Sequence, residues 1–450
     1  ARTARDQRPH LPGGRGRRLT HPYLALSDLK PGAGHRGLFD TLFVFQNIPV
    51  VPPDERLGPD GELRVVDQKL SDATHYAMTV VVAPMESGAR VRMMHQQDAL
   101  DAAFPLNEPV LITGGVDIAA GNAGDGGTLA PTLTAIGDQA SPIVIVVRVA
   151  EGADQDETDL NVIGSTDGNT YTGLQALLAA QTKLGVKPTI LGAPGLDTQP
   201  VVQEMVDIAK KLRGFVYAGA KAADGFTPAA DEAEAITYRE NFAYRELMVI
   251  WPDTNDGGGD IIARALGLRA AIDESVGWHK TISNVPLGGI TGLEHDVHFD
   301  LTDPSTAAGV LNAAQVTTVI RQNGFRLWGN RTCADDQQPN FSFESAVRTS
   351  HALQETIELI VAPFLDQPMT NGLIKDLIET GNARFRQLTV EGRIMGAEMF
   401  FDPLQNSAQE LAQGRPRFRI QFTPVAPLEN PNVDLVITDF YYAGFADQLT

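Results

Sequence analysis

Between residues 143 and 251 the chain switches repeatedly between two hydrophobic rhythms, and this switching restricts the folds open to it more than any other feature. Ile143 to Val149 (IVIVVRV) is a continuous apolar run. It is too uniformly apolar for a sheet with one wet face, so a central strand is predicted. Leu174, Leu177, Leu178 and Leu184 then recur at helical spacing after the turn at Asp167-Gly168. Lys187-Pro188 closes that helix ahead of a strand at Thr189-Ile190-Leu191. The unit repeats. Asp197 opens a helix carrying Val201, Val202, Met205, Ile208 and Leu212, and Phe215-Val216-Tyr217 is the next strand. A helix over Asp231 to Asn241 leads to a strand over Glu246 to Trp251. Strand and helix alternating in this way imply a mainly parallel sheet covered by helices on both faces, and place an α/β domain at 104–282.

After Trp278-His279-Lys280 the pattern changes. Two long helices are predicted, Phe343 to Phe364 with Val347, Ile357, Ile360 and Val361 on its apolar stripe, and Met369 to Leu388 with Leu373, Ile374, Leu377, Ile378 and Phe385. Pro363 and Pro368 separate them. Two strands follow, Arg417 to Thr423 and Val433 to Tyr442, joined by the proline-rich PVAPLENPN. The second domain is therefore α+β over 283–432, with a projecting arm over 433–450. Residues 1–103 form an N-terminal extension. Its first 18 residues scatter arginines among Gly and Pro and are expected to stay flexible. Leu42 to Val51 and Tyr76 to Ala83 within it have strand-favouring composition.

Between the two long patterns lies Asn323 to Cys333, NGFRLWGNRTC. Phe325, Leu327 and Trp328 are costly to leave in water, since burying a residue of the Phe or Leu kind is worth roughly 1.5–3 kcal/mol. Gly324 and Gly329 permit tight turns on either side. With Asn330 and Arg331 beside them and no catalytic partner in the run, these residues read as a packing and assembly signature.

Composition narrows the function classes. A chain of 450 residues with 43% hydrophobic residues can build two or three domains. A formal net charge of −20 opposes nucleic-acid wrapping, which depends on Lys and Arg neutralising phosphates. It also resists careless association, so any assembly must rely on specific, interlocking contacts. Cys333 is the only cysteine, which rules out an internal disulfide and zinc-type thiol spacing, and suits a reducing compartment. No apolar run is long enough for a membrane span, and the opening stretch lacks the apolar segment of a secretory signal. The sequon at Asn330-Arg331-Thr332 is read as an accidental match.

An open α/β sheet holds its ligands beyond the carboxyl ends of the strands, so catalytic or binding residues belong in the loops after Val149, Leu191, Ala218 and Trp251. Gly192-Ala193-Pro194-Gly195 precedes a helix but has no GxGxxG and no GKS or GKT, so a turn is the better reading than a phosphate loop. The glycine-rich stretch 121–128 is read as a surface turn. The GxSxG signature of a nucleophile elbow is missing. His279 is expected to be a hydrogen-bonded residue at a domain junction rather than a proton acceptor. His295 and His298, with Glu294, Asp296 and Asp300, are the best metal candidates, yet on a strand they would point to opposite faces. Asp335 and Asp336 read as a solvated turn, and Cys333 as a buried small residue rather than a reactive thiol. No cofactor is expected.

Several ordered blocks are similar to contractile tail sheath proteins of long-tailed bacteriophages and R-type bacteriocins. They are FPLNEPVLIT, LLAAQTKLGVKPTILGAPGLDT, RENFAYRELMVIWPD, ARALGLRAAIDESVGWHKTISNV, NGFRLWGNRTCADD and the terminal ITDFYY, together spanning about three quarters of the chain. Within 19–93 the sequence additionally resembles a fragment of a nonribosomal peptide synthetase condensation domain, without its HHxxxDG motif.

The sheath resemblance implies a subtilisin-like α/β outline without catalysis. It also implies hexameric rings stacking as a helical sleeve on a tail tube protein, partners at the baseplate and tail terminator, and contraction that drives the tube through an envelope. Assembly in the host bacterial cytoplasm into a virion tail or bacteriocin particle is implied too. On that basis Val433, Leu435, Val436, Ile437, Thr438, Phe440, Tyr441 and Tyr442 are expected to form an intermolecular strand, because a lone strand leaves backbone donors and acceptors unsatisfied. Lys375, Arg384 and Arg386 are candidate tube-facing charges, weak enough to slip. Linkers such as Thr423 to Asn432 would act as hinges between two discrete packings. The competing reading is an enzyme, either an α/β hydrolase or a condensation-type acyltransferase.

Overall fold

A computed structural model of the chain describes residues 78–85, 88–124, 126–431 and 433–442, with side chains from residue 100 onward except that of Tyr441. The predicted tail over 1–18, the strand Leu42 to Val51, most of the condensation-like stretch and 443–450 lie outside these residues. The chain divides into two compact units, 1–99 and 100–450. In the first, β1 (Met78–Met85) and β2 (Gly88–His95) pair as an antiparallel hairpin, β1 overlapping the strand expected over Tyr76 to Ala83.

The second unit is built on a five-stranded sheet of β5 (Ile190–Leu191), β6 (Phe215–Gly219), β7 (Leu247–Ile250), β8 (Val316–Arg321) and β9 (Phe325–Trp328). The strands lie side by side in chain order, with β5 to β8 parallel and β9 antiparallel at the edge. Alternate side chains serve opposite faces, as the pleat requires. Val216, Ala218, Leu247, Val249 and Val316 pack under α1 (Gln199–Leu212) and α2 (Glu232–Glu240). Phe215, Tyr217, Met248, Ile250 and Val319 pack under α3 (Asp260–Ser275). Both faces are covered, so β6 and β7 are almost wholly apolar, while β8 buries Thr317 and Thr318 among its apolar residues. Between β7 and β8 the chain crosses to the α3 face and returns over the first face through the helix Ala307–Ala313, where Leu311 is fully buried.

Three expectations need correction. The run at Ile143 is not central. Its residues form β4 (Ile143–Val147), paired only with β3 (Pro109–Thr113) in a separate two-stranded antiparallel sheet, and Ile143 is 60% exposed. Its apolar side chains instead cover the short helices Val116–Gly121 and Leu129–Gly137, a local mini-core that continuous hydrophobicity cannot distinguish from a sheet centre. The α/β layer also does not stop at 282, because β8 and β9 complete the same sheet. The leucine-rich stretch after Gly168 is a 3-10 segment, Gly173–Ala179, running into one short α-helical turn, Ala180–Leu184.

The C-terminal layer matches its predicted helices closely. They are α4 (Glu344–Val361) and α5 (Asn371–Val390), and a hairpin of β10 (Ile394–Phe401) and β11 (Phe418–Pro424) lies against them. Leu353, Leu377, Phe385, Leu388, Ile394 and Met399 form its core. The strand partner of β11 is therefore β10, upstream, rather than the 433–442 segment.

A polar stripe docks α4 on the α/β layer. Glu344, Arg348, His351, Glu355 and Glu358 fall at four- and three-residue intervals and share one side of the helix, opposite Leu353, Ile357 and Ile360. The Glu344 carboxylate accepts from Tyr217 Oη at 2.5 Å, Arg269 Nη1 at 3.1 Å and the Ile282 amide at 3.2 Å. Arg348 and Arg269 both grip Asp273. Lys187 pairs with Glu355, and Arg213 Nη1 donates to Glu358 at 2.6 Å. This network was missed in the sequence. Its trace there is the helical spacing of Arg269 with Asp273 and of Glu344 with Arg348, which apolar periodicity alone ignores.

Candidate assembly surface

The carboxyl ends of the strands are filled from within. After β6, Lys221 Nζ pairs with Asp197 Oδ1 at 2.6 Å, and the Gly219 amide donates to the other oxygen of the same carboxylate at 2.6 Å. Asp197 thus anchors the strand end, and Thr198, not Asp197, is the cap residue of α1. After β7, the Asp253 carboxylate accepts from the amides of Thr254, Ile261 and Gly259 at 2.7–2.8 Å. Burial pushes this carboxyl up, opposed by those three bonds. It occupies the α3 N-terminus where an external anion would bind.

The Gly192 to Gly195 loop is equally closed. Gly195 adopts φ +74°, and a Cβ there would stand 2.5 Å from the Gly258 carbonyl, while one at Gly259 would stand 2.2 Å from the Gly195 amide nitrogen, so these two glycines meet only as bare backbone. An open α/β sheet forms its ligand crevice where the strand order reverses. This order never reverses.

His279 meets Trp278 edge-on at 5.7 Å, and its Nδ1 is buried without a hydrogen-bond partner, contrary to expectation; burial, then Arg393 and Arg269, lower its pKa. His295 lies outside any strand and stacks on Trp251 at 5.4 Å, while the His298 carbonyl accepts from Ala308, so the period-two argument for this pair does not apply. Among the described residues no three His, Cys, Asp or Glu side chains converge as metal ligands. Asp335 caps the Gln337 amide in a turn at 3.2 Å. Cys333 is fully buried, and burial pushes its thiol up to about 12.

The NGFRLWGNRTC run lies across the edge of the sheet. Asn323 and Gly324 turn the chain at φ 52° and 98°, and β9 follows, with Leu327 fully buried and Phe325 and Trp328 half-buried. Trp328 packs against the Phe299 ring at 4.9 Å. Asn330 is buried and its carbonyl accepts from the Glu344 amide at 3.0 Å, fastening the run to the start of α4. Arg331 lies over the Phe343 ring at 4.3 Å, donates to Ser342 Oγ at 3.1 Å, and meets the Glu429 carboxylate, with Nε to Oε1 at 2.8 Å.

Glu429 therefore ties the end of the C-terminal layer to the sheet edge. Beyond it the chain leaves the body. Val433, Leu435, Val436 and Ile437 are 76–98% exposed, and the predicted strand is absent within the chain: 433–438 has no strand pairing, and Phe440–Tyr442 close a 3-10 turn. An edge strand needs a partner edge, and β11 is already paired with β10. Thr438 and Phe440 are exposed in this segment, and the side chain of Tyr441 lies outside the described residues.

The three candidate tube-facing charges are not brought together. Lys375 and Arg386 lie three helical turns apart on one exposed face of α5, with Arg386 paired to Glu379 at 2.6 Å. Arg384 falls on the opposite side, half-buried, in a groove with Leu359, Ile360, Pro363, Phe364 and Thr380.

Comparison with known proteins converges on one family. Residues 169–333 match the phage tail sheath protein central domain. Over 362 residues the chain is 45% identical to the tail sheath protein of Escherichia phage P2, covering 77% of this chain and 89% of that protein. It is 41% identical to the major tail sheath protein of Serratia phage KSP20, covering 78% and 90%. The sheath complex of the PVC extracellular contractile injection system in its contracted state superposes with TM-score 0.56 at 14% identity. The contracted helical sheath of the anti-feeding prophage superposes with TM-score 0.55 at 16% identity. Both cover 84% of this chain and 99% of theirs, and at such identities they show a shared fold.

Proposed function

Because this chain belongs to the phage tail sheath protein family, we propose that it is the structural subunit of a contractile sheath. In this role it polymerises as stacked hexameric rings around a tail tube and contracts to drive the tube through a target envelope. The α/β body, subtilisin-like in outline on this reading, is a scaffold and not an enzyme. Tube protein, baseplate and tail terminator are its partners. It works in a virion tail or related particle assembled in the host cytoplasm.

The observation that carries the reading is the segment past Glu429, which offers Val433, Leu435, Val436 and Ile437 to solvent with 76–98% of their surface exposed. Leaving that much apolar surface and an unpaired backbone in water is unfavourable for a lone subunit, and pairing with the sheet edge of another copy removes both penalties. On the same reading, Lys375 and Arg386 form the tube-facing pair on α5, and residues 430–431, just past the Arg331 contact, belong to the hinge. Electron microscopy of the purified protein is the test: rings or helical tubes are expected, and removal of 433–450 should abolish them while the far-ultraviolet circular dichroism stays that of the folded chain. Unchanged polymers after this truncation would refute the arm assignment.

A further inference from the structure

The two halves of α4 have different surroundings. From Glu344 to His351 every residue is buried, with Val347 in the core beneath α3 and Glu344 and Arg348 in the network around Arg269 and Asp273. Past Leu353 no residue of the helix is buried. The apolar side of that outer half, Ile357 and Ile360, packs on the core of the C-terminal layer, so this half belongs to that layer rather than to the α/β body.

The body holds the outer half by weaker means. Lys187 pairs with Glu355 and Arg213 with Glu358, the two glutamate side chains being 37% and 58% exposed. Charges this open to water are screened by salt and bind loosely, unlike the enclosed Glu344 and Arg269. A further tie is Trp278, half-buried against the core of the C-terminal layer from the loop after α3. An apolar contact has no fixed direction and tolerates sliding, whereas a hydrogen-bonded ion pair does not.

Between the halves the helix carries a weak point. Thr356 Oγ1 donates to the Ala352 carbonyl at 2.8 Å, one turn back, and shares that acceptor with the backbone ladder. Back-bonding of this kind loosens and bends helices. Ala352 is also the first residue of α4 that the body does not fully enclose.

We propose that α4 flexes at the turn Ala352–Thr356 and that the Lys187–Glu355 and Arg213–Glu358 pairs are a clasp governing the flexion. Closed, the clasp holds the outer half of α4, with α5 and the β10/β11 hairpin, against the body. Open, that layer swings as a unit while the first two turns of α4 stay fixed. Glu358 lies six residues beyond Ala352, about 9 Å at 1.5 Å per residue, so a bend of about 20° carries it about 3 Å, enough to part a pair held at 2.6 Å. The clasp answers to ionic strength and to any charged surface that offers Lys187 or Arg213 another carboxylate. It acts inside one subunit, separately from the linker at 430–431.

Spin labels on Lys211→Cys, beside Arg213 at the end of α1, and on Asp376→Cys, on the exposed side of α5, report the swing by double electron–electron resonance, with the buried Cys333 left unlabelled. The full-length chain is measured unassembled, so the result is independent of polymerisation. One narrow distance is expected at low salt. Arg213→Glu should add a second population displaced by about 3 Å or more, as should salt at about 1 M, where charges reach only about 3 Å. Arg213→Glu combined with Glu358→Arg should restore the single distance at low salt. Amide exchange should accelerate over 353–361 and stay slow over 344–351 and across α5. A single distance unchanged by charge reversal and by salt overturns the clasp. Faster exchange throughout α5 and β10 overturns it too, because the layer would then be unfolding rather than swinging. The salt series leaves all four charges in place, so it decides the matter even where Arg213→Glu fails to fold.

Discussion

Arg331 and Glu429, 98 residues apart in sequence, meet through two parallel guanidinium–carboxylate contacts, one of them 2.8 Å, on the face of the Phe343 ring. The pair joins the sheet-edge signature to the last anchored residue before the exposed segment. It fixes Glu429, within the stretch 423–432 expected to act as a hinge, to the sheet edge. About a third of each side chain is exposed, so its net contribution to stability is at most about 1 kcal/mol. Arg331→Ala should leave the midpoint of chemical unfolding almost unchanged while amide exchange over 425–430 accelerates. Unchanged exchange would mean that the linker is held by something else.

Glu344 is a different case. Its side chain and that of Arg269 are fully buried, and removing Glu344 leaves the Arg269 guanidinium with Asp273 as its remaining carboxylate partner. Glu344→Ala should cost roughly 3–5 kcal/mol in urea unfolding, whereas Tyr217→Phe, which deletes one bond to the same carboxylate, should cost about 1 kcal/mol. Equal effects from both would show that Arg269 is satisfied without Glu344.

His351 sets a pH dependence. Burial holds its pKa down at about 4, with Arg245 and Arg348 reinforcing this and Glu246 and Glu355 opposing it. The unfolded chain takes up the proton near the ordinary value of about 6.5, so the stability this neutral histidine contributes is complete above that pH and drains away as the pH falls towards 4. Denaturation at a series of pH values should show His351→Gln losing less stability than wild type across that window. A parallel decline in both would assign the acid sensitivity to carboxylates elsewhere.

Cys333 is expected to be inert in the native protein. Burial raises its thiol pKa to about 12, leaving almost no thiolate at neutral pH. Ellman's reagent should titrate one thiol per chain in denaturant and essentially none without it. Rapid native reaction would place this residue at an accessible surface.

Periodicity was sufficient for most of the framework: the α1 stripe of Val201, Met205 and Ile208, the uniformly apolar Phe215 and Leu247 strands, and the two long helices all follow from spacing that local sequence carries. The blocks around NGFRLWGNRTC carried the family. Spacing could not say whether IVIVV at 143 would be enclosed on both sides or left with a single neighbour, because an apolar run looks the same in either place. Nor could it pair β10 with β11, since the glycine and methionines of IMGAEMFF weaken the strand signal and ladder partners are chosen by what lies alongside.

The charged contacts were the least visible. Glu344 with Arg269, Asp197 with Lys221 and Arg331 with Glu429 join residues far apart in the chain, and burial, which decides whether such a pair is costly, trivial or structural, exists only once the layers have closed around it. Short-range pattern thus dictated which segments become helices and strands. Three-dimensional packing alone chose their neighbours, filled the strand ends with the protein's own carboxylates, and left 433–438 exposed without strand pairing.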